Sequence, residues 1–288
     1  KRIARLKEIE RMEGQGLDVV VLEAQRVGWG ASGRNGGQAL AGFGCDQSVL
    51  EGLVGMDQAR VLFDYSRDGL ALLKARIAEH RIDCQWRDGA ADVAITPRQD
   101  AGLQAHARHM ARHYNYPLQY WSASELGQVL DSPRFVAGLY DPAAGHLHPL
   151  RYALGLARAA QQHGVRIYEH SPVLGLQRGA QVLMTTPRGR VRAPFAVIAG
   201  NALLAGIAPA LERRIMPVGT YVGATPPLGP ERAHALIAND MAVADVNWAL
   251  DYFRLTADHR LLFGGMAAYS ALPPPGLQAA MTRRMHAV

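Results

Sequence analysis

The sequence predicts an α/β fold with a second, inserted lobe of mixed helices and strands. Short apolar segments typical of buried strands, Leu17 to Glu23 and Phe195 to Ala199, occur between helical segments. A helix, a glycine and a strand follow one another from Lys1 to Glu23 and again from Leu150 to Glu169. This alternation is typical of parallel sheets covered by helices.

Hydrophobic periodicity and turn residues predict the remaining elements. From Ser48 to Ala111 the pattern is mostly helical, with a strand-like break at Ala91 to Ile95. Trp121 to Leu130 is predicted to be a helix that starts with a capping box, the sequence SASE. Two hairpins are expected, Val182 to Thr186 with Val191 to Ala193 and Tyr252 to Thr256 with Arg260 to Phe263.

Composition excludes several classes of protein. Hydrophobic residues make up 49% and charged residues 19% of the 288 residues, and no apolar run is long enough to cross a bilayer. The net charge of +6 comes from dispersed arginines, which argues against a nucleic-acid surface. Cys45 and Cys84 are the only cysteines and have no metal-ligand spacing, so we expect no metal site and a cytoplasmic setting.

The segment from Val19 to Gln38 carries the predicted chemistry. Glu23 ends an apolar strand, where a carboxylate accepts hydrogen bonds from both hydroxyls of an adenosine ribose. A helix that begins near Ser32 would direct its free N–H groups at a pyrophosphate, and Arg34 would add a charged contact. The alternative is a solvated acid followed by a surface loop. The cofactor contacts predicted here are Glu23, Ala24, Gly30, Ala31, Ser32, Gly33, Arg34, Asn35, Gly36, Gly37 and Gln38.

Three ordered segments resemble a known family. They are GWGASGRNGGQ from Gly28, GHLHPLRYALGLARAAQQHGVRIYEHSPV from Gly145, and DYFRLTADHRLLFGG from Asp251. Together they resemble the D-amino-acid-oxidase-like FAD-dependent oxidoreductases, in particular the members that oxidise gamma-glutamylputrescine. The resemblance implies an FAD/NAD(P)-binding Rossmann-like domain with an inserted mixed α+β substrate domain. The family's opening GxGxxG and closing glycine-rich block do not occur in the sequence, so we expect a fold that is incomplete at both ends.

The resemblance also implies a domain division and further site residues. We expect an FAD-binding domain at 1–47 and 140–215, and a substrate-binding domain at 48–139 and 216–288. Val173 would contact adenine or be an ordinary strand residue. Ala199, Gly200 and Asn201 would approach FAD or form a simple turn. Substrate contacts would come from Tyr252, Arg254 and His148, although Arg254 could instead pair with Asp251 or Asp258, and His148 could be a turn histidine.

The implied activity is FAD-dependent oxidation of a small-molecule amine to an aldehyde, ammonia and hydrogen peroxide. The flavin carries this chemistry, so no catalytic side chain is required. Because no lysine follows Lys74, the electron acceptor is oxygen activated by another cation, or a different acceptor. Alternatives are a flavin oxidase or dehydrogenase of an N-methyl or alpha-amino acid, and a truncated non-catalytic flavoprotein-like subunit. The sequence does not define the oligomeric state.

Overall fold

The computed structural model describes residues 18–269 and 273–288. The helix predicted from Lys1 to Glu13, and the glycines predicted to end it, lie outside these ranges. The described helices are α1 Gln47–Val54, α2 Met56–Glu79, α3 Pro97–Tyr114, α4 Ala123–Leu126, α5 Pro149–Gln162, α6 Pro209–Glu212, α7 Pro230–Leu236 and α8 Leu277–His286. No described helix is long and apolar enough to cross a membrane.

The strands of the described ranges form three sheets. Their bounds are β1 Val20–Leu22, β2 Gln38–Ala39, β3 Arg87–Ala94, β4 Gln119–Ser122, β5 Ala137–His146, β6 Arg166–Tyr168, β7 Gly175–Gln177, β8 Val182–Thr186, β9 Gly189–Ala193, β10 Gly219–Ala224, β11 Ala242–Asp245, β12 Tyr252–Leu255 and β13 Leu261–Ala268. β1 pairs with β6, β7 to β9 form a meander, and the other eight strands share one sheet.

Strands β1 and β6 form a parallel pair, in which Val21 lies opposite Ile167, and β3 and β11 are a second parallel pair within the large sheet. The predicted strand Leu17 to Glu23 is therefore real but shorter, and its described residues are only partly buried. The second predicted strand, Phe195 to Ala199, is wrong. Those residues form no strand, and Phe195 is 80% exposed. A strand needs a hydrogen-bonded neighbour, and no described strand pairs with this segment.

The eight-stranded sheet has the order β10-β13-β12-β11-β3-β5-β2, with β4 also paired to β5. Side chains alternate between its two faces. One face carries Val93, Val243, Phe253 and Phe263, which pack against α7, α8 and their neighbours to form the main core. The second face of the sheet carries Asp92, Ala244, Tyr252 and Gly264. These residues are paired from strand to strand and form one row across the sheet. This second face supports both candidate sites.

Local sequence rules explain several element ends. Thr96 caps α3 and Ser122 caps α4, each with a complete capping box. The predicted helix Trp121 to Leu130 keeps its capping box but is shorter, because Trp121 and Ser122 extend β4 alongside β5. Both predicted hairpins are confirmed by the antiparallel pairs β8–β9 and β12–β13. The domain division remains a prediction, and β5 crosses its boundary at residue 140.

Candidate cofactor and substrate sites

Glu23 lies at the carboxyl end of β1, as predicted, beside the residues that follow β6. Its backbone N–H donates to the carbonyl of Tyr168 at 2.9 Å, and its carbonyl accepts from Ser171 N–H at 2.9 Å. The Glu23 Oε1 atom accepts from the backbone N–H of Gln25 at 2.8 Å. The carboxylate is therefore held at the end of a parallel strand, which is where α/β proteins bind nucleotides.

The segment that follows Glu23, residues 24–35, is called the bend. It is a series of turns and contains no helix. Gly33 N–H donates to the carbonyl of Gly30 at 3.2 Å, and no helix begins at Ser32. Asn35 instead organises the bend, because its Nδ2 donates to the carbonyls of Ala31 and Ser32 and its Oδ1 accepts from Gly37 N–H at 2.8 Å. A side chain that bonds the local backbone competes with helix formation, so the condition of a helix starting near Ser32 is not met and pyrophosphate contacts would come from turn N–H groups.

The bend presents small, solvent-exposed residues together with the exposed cations Arg26 and Arg34. Ala24, Ala31, Ser32, Arg34 and Asn35 are exposed, and the Arg34 guanidinium lies 4.7 Å from the centre of the Trp29 ring. No side chain of the described protein covers these residues. The surface therefore fits a phosphate-bearing ligand that needs close backbone approach and a positive charge.

Gly36 and Gly37 follow the bend and are buried against the second face of the large sheet. A Cβ on Gly36 would collide with the Tyr252 ring, and a Cβ on Gly37 would collide with the Leu147 carbonyl. Gly37 also has φ +77°, which favours glycine. Close packing against the protein therefore explains these two glycines.

Arg254 is buried and holds the same segment in place. Its Nε donates to the carbonyl of Gly36 at 2.6 Å, its Nη2 to Leu147 at 3.0 Å, and its Nη1 to Leu255 at 3.0 Å. Burial lowers the pKa of Arg254 to about 10, so it stays charged at neutral pH. The alternative pairing with an aspartate is wrong, because Asp251 pairs with Arg284 and Asp258 pairs with Arg260.

The other predicted contacts have more varied positions. His148 is the N-cap of α5, its Nδ1 accepting from Arg151 N–H at 3.5 Å, and burial lowers its pKa. Val173 follows the segment that hydrogen-bonds to Glu23 and Gln25. Ala199, Gly200 and Asn201 precede Leu203, whose Cδ1 would lie 3.8 Å from a Cβ on Gly30. Val173 and Ala199 to Asn201 are therefore close in sequence to residues that approach the bend, and their contacts with a cofactor remain predictions.

A cavity of about 430 Å³ lies next to the bend, between the second face of the large sheet and helices α2 and α3. Such a volume is typical of small-molecule sites. The residues lining it are Gln38, Leu40, Ala41, Gly42, Phe43, Phe63, Ala90, Asp92, His106, Met110, Tyr116, Leu118, Leu139 and Asp141. Gln38 and the four residues from Leu40 to Phe43 follow Gly37 directly, so the cavity adjoins the predicted cofactor site.

Sequence reasoning did not identify Asp92 and Asp141, which face this cavity. Asp92 is exposed to the solvent that fills the cavity, and the enclosing protein atoms together with the charge of Asp141 raise the pKa of its carboxyl to about 6. Asp141 accepts from the Tyr116 hydroxyl at 2.6 Å and from Ala143 N–H at 2.9 Å. The available signal was an acid within an otherwise apolar strand, in AADVA and in GLYD.

The residues after Glu23 fit FAD on the geometry of this structure. A parallel strand ends in an acidic residue, Glu23. It is followed by a solvent-exposed bend of small residues that also carries Arg34. A sheet-walled cavity continues from them. In the described ranges, no three His, Cys, Asp or Glu side chains are grouped to hold a metal ion. This combination is typical of dinucleotide-binding α/β proteins that enclose a small substrate beside the cofactor.

Comparisons with known proteins define the family. The model of the FAD dependent oxidoreductase family, DAO, matches residues 8–288. The chain belongs to this family of FAD-dependent oxidoreductases.

Its relatives include gamma-glutamylputrescine oxidoreductase of Escherichia coli K12, with 40% identity over 91% of the chain and 62% of the relative. Probable oxidoreductase OrdL of Haemophilus influenzae is 39% identical over 87% of the chain and 59% of its own length. The chain therefore spans about three fifths of the length of these relatives.

Solved structures confirm the fold. Glycine oxidase from Geobacillus kaustophilus superimposes with a TM-score of 0.70 at 20% identity, covering 96% of the chain and 73% of that protein. L-proline dehydrogenase from P. horikoshii gives a TM-score of 0.73 at 16% identity, covering 99% and 74%. At these identities the likeness supports the fold alone.

Proposed function

We propose that this protein catalyses the FAD-dependent oxidative deamination of a primary amine, with gamma-glutamylputrescine or a related amine as substrate. The amine, water and oxygen would give an aldehyde, ammonia and hydrogen peroxide, or another acceptor would replace oxygen. The observation that carries the proposal is the continuity of the bend with the cavity, through Gln38 and the residues from Leu40 to Phe43. A substrate in the cavity would therefore lie beside a cofactor held by the bend.

The geometry of the bend supports the proposed cofactor contacts. Glu23 would hold the adenosine ribose, and Ser32, Gly33 and Arg34 would hold the pyrophosphate. When bound, FAD supplies the two-electron oxidation, and the protein holds and orients the amine. Val173 and residues Ala199 to Asn201 are proposed as further contacts because they are close in sequence to residues that approach the bend. Cytoplasmic location also remains a proposal, supported by the cysteine content.

Tyr252 and Arg254 are not among the residues that line the cavity, so we propose different roles for them. The Tyr252 ring lies against Gly36 and would support the end of the bend. Arg254 holds the Gly36 and Leu147 carbonyls, so it would act by fixing the bend. Both His148 and Arg254 already serve backbone groups, which weakens their proposed direct contacts with substrate.

The two alternative functions inferred from the sequence would require different properties of the protein. An oxidase or dehydrogenase of an alpha-amino acid must bind a carboxylate on the reacting carbon, yet the described lining of the cavity contains no lysine or arginine. In gamma-glutamylputrescine the carboxylate lies at the end of the molecule opposite to the reacting amine. A non-catalytic flavoprotein-like subunit would show no turnover with any amine. The amine reading is therefore better supported by the cavity than the amino-acid reading.

Steady-state assays of the FAD-loaded protein test the proposal. Aldehyde, ammonia and peroxide would be measured with gamma-glutamylputrescine, sarcosine, glycine and D-alanine, with an artificial electron acceptor in parallel. We expect turnover of gamma-glutamylputrescine well above that of the three amino acids. Preferred turnover of an amino acid would support the second function, and absence of turnover under both acceptors would support the third.

A further inference from the structure

The face of the sheet that forms the cavity floor places two carboxylates together. Ala90 pairs with Asp141 and Asp92 pairs with Leu139 across β3 and β5, so Asp92 and Asp141 are diagonal neighbours on one face. Asp92 also pairs with Ala244, and Ala244 pairs with Tyr252. At the usual strand spacing, Asp92 therefore lies roughly 10 Å from Tyr252, which contacts Gly36.

Among the residues that the structure describes, no hydrogen bond or ion pair reaches the Asp92 carboxylate. Because Asp92 is exposed to the cavity, a ligand that displaces the water there must supply a counter-charge or hydrogen-bond donors in its place. Its neighbour Asp141 is fixed by Tyr116 and by backbone N–H groups, so it cannot turn to relieve the repulsion. The cavity therefore contains a carboxylate that could form an ion pair with a cationic ligand.

The other lining residues supply no cation. The described lining has no lysine or arginine, and burial lowers the pKa of His106, which favours its neutral form. Arg67 is a nearby cation, with its guanidinium carbon 5.7 Å from the centre of the Tyr116 ring. It does not line the cavity, and it forms an ion pair with Asp64. Phe63, Met110, Leu118 and Leu139 make the remaining wall apolar. An alkyl chain with a cationic end matches this combination of surfaces.

We infer that this cavity binds the terminal ammonium group of the amine substrate and that Asp92 and Asp141 supply its counter-charge. The inference rests on the proposed function and names the residues that select the substrate. Oxidation requires the neutral amine, which forms when the bound ammonium gives up one proton to water or to a carboxylate. A neighbouring carboxylate stabilises the ammonium form, so the proton must leave the bound amine before the oxidation step.

Calorimetric titration of the protein with its FAD already reduced by dithionite, under anaerobic conditions, tests the inference separately from catalysis, because reduced flavin cannot accept electrons from the amine. This protein would be titrated with gamma-glutamylputrescine and with gamma-glutamylbutylamide, which lacks only the terminal amino group. We expect the first ligand to bind about ten- to hundredfold more tightly, the usual effect of charge-assisted hydrogen bonds. Asp92→Asn and Asp141→Asn should each remove most of this preference. The exposed Asp68→Asn on α2 makes the same charge change away from the cavity and should keep it.

Equal affinities of the wild type for the two ligands, or no binding of either, would overturn the inference. An unchanged preference in folded Asp92→Asn and Asp141→Asn proteins would do the same. Assays of aldehyde on the same preparations before reduction separate the two proposals. Turnover without a preference for the ammonium end contradicts only the role of the carboxylates, whereas selective binding without turnover contradicts only the proposed function.

Discussion

At the scale of single residues, the ionised form of Asp92 would favour amine binding but lower the stability of the folded protein. The enclosing protein atoms and the charge of Asp141 raise the pKa of the Asp92 carboxyl to about 6, above the value near 3.9 expected in an unfolded chain. Above about pH 6 the folded protein therefore carries an ionised group that the unfolded chain tolerates better. Below about pH 4 the carboxyl is protonated in both states, and the difference vanishes.

We therefore expect Asp92→Asn to raise the melting temperature at pH 7 while it weakens amine binding. The gain should shrink as the pH falls from 6 to 4, because the wild-type carboxyl then becomes neutral. The groups that face Asp92 in the cavity, Asp141, Tyr116 and His106, are retained in this variant. Thermal unfolding by circular dichroism at several pH values measures the effect. A lower melting temperature at pH 7 would show that Asp92 has a stabilising role in the fold.

Arg254 is the residue on which the shape of the bend most depends. Arg254→Met would leave the carbonyls of Gly36, Leu147 and Leu255 without their donor, and each buried acceptor left unsatisfied costs about 1–3 kcal/mol. We expect a loss of at least about 3 kcal/mol in the free energy of unfolding, together with weaker retention of FAD.

Urea denaturation followed by tryptophan fluorescence measures this loss. Arg260→Met is the matched control, since its partly exposed guanidinium bonds Asp258 and the Thr225 carbonyl and should contribute about 1 kcal/mol or less. Similar losses for the two variants would contradict the anchoring role of Arg254.

At the scale of elements, the junction between the bend and the sheet is set by glycine. Gly37→Ala would add a Cβ that meets the Leu147 carbonyl, at a φ of +77° that alanine disfavours by about 1 kcal/mol or more. We expect a lower melting temperature and a lower FAD content. Gly44→Ala, whose Cβ would meet no atom within 4 Å, is the control and should change neither. Normal FAD content in Gly37→Ala would show that the bend tolerates displacement.

Elements with a strong local signal were predictable from sequence. Helix α5 and the hairpin β12–β13 show their period and their turn residues in the sequence itself. Phe195 to Ala199 has the composition of a buried strand, but a strand also needs a neighbour, which local sequence does not reveal. The absence of a helix at Ser32 has a local reason, since the Asn35 side chain hydrogen-bonds to the backbone of the turns there.

The candidate site was predictable in part. The acid at the end of β1 and the uncovered bend follow from Glu23 and the small residues after it. The cavity could not be predicted in the same way, because Asp92 and Asp141 are 49 residues apart and meet only through the register of β3 and β5. Pairing register depends on long-range packing, which a single sequence does not specify.

At the scale of the whole molecule, one sheet face connects the two sites. Its cross-strand row runs from Asp92 in the cavity floor to Tyr252, which lies against Gly36 at the end of the bend. The opposite face forms the main apolar core with α7 and α8. The sheet is thus a rigid support that fixes the distance between the cofactor segment and the cavity, as precise catalysis requires.

The most direct test of this account is the affinity of the protein for FAD, measured by quenching of flavin fluorescence in the wild type and in Glu23→Ala. Glu231→Ala, an exposed acid on α7, serves as the control. We expect the wild type and the control to bind FAD equally and to show flavin absorption bands, and Glu23→Ala to bind about tenfold or more weakly. A wild-type protein that takes up no FAD, or a Glu23→Ala protein that binds it as well as the wild type, would contradict the assignment of this strand end to the cofactor.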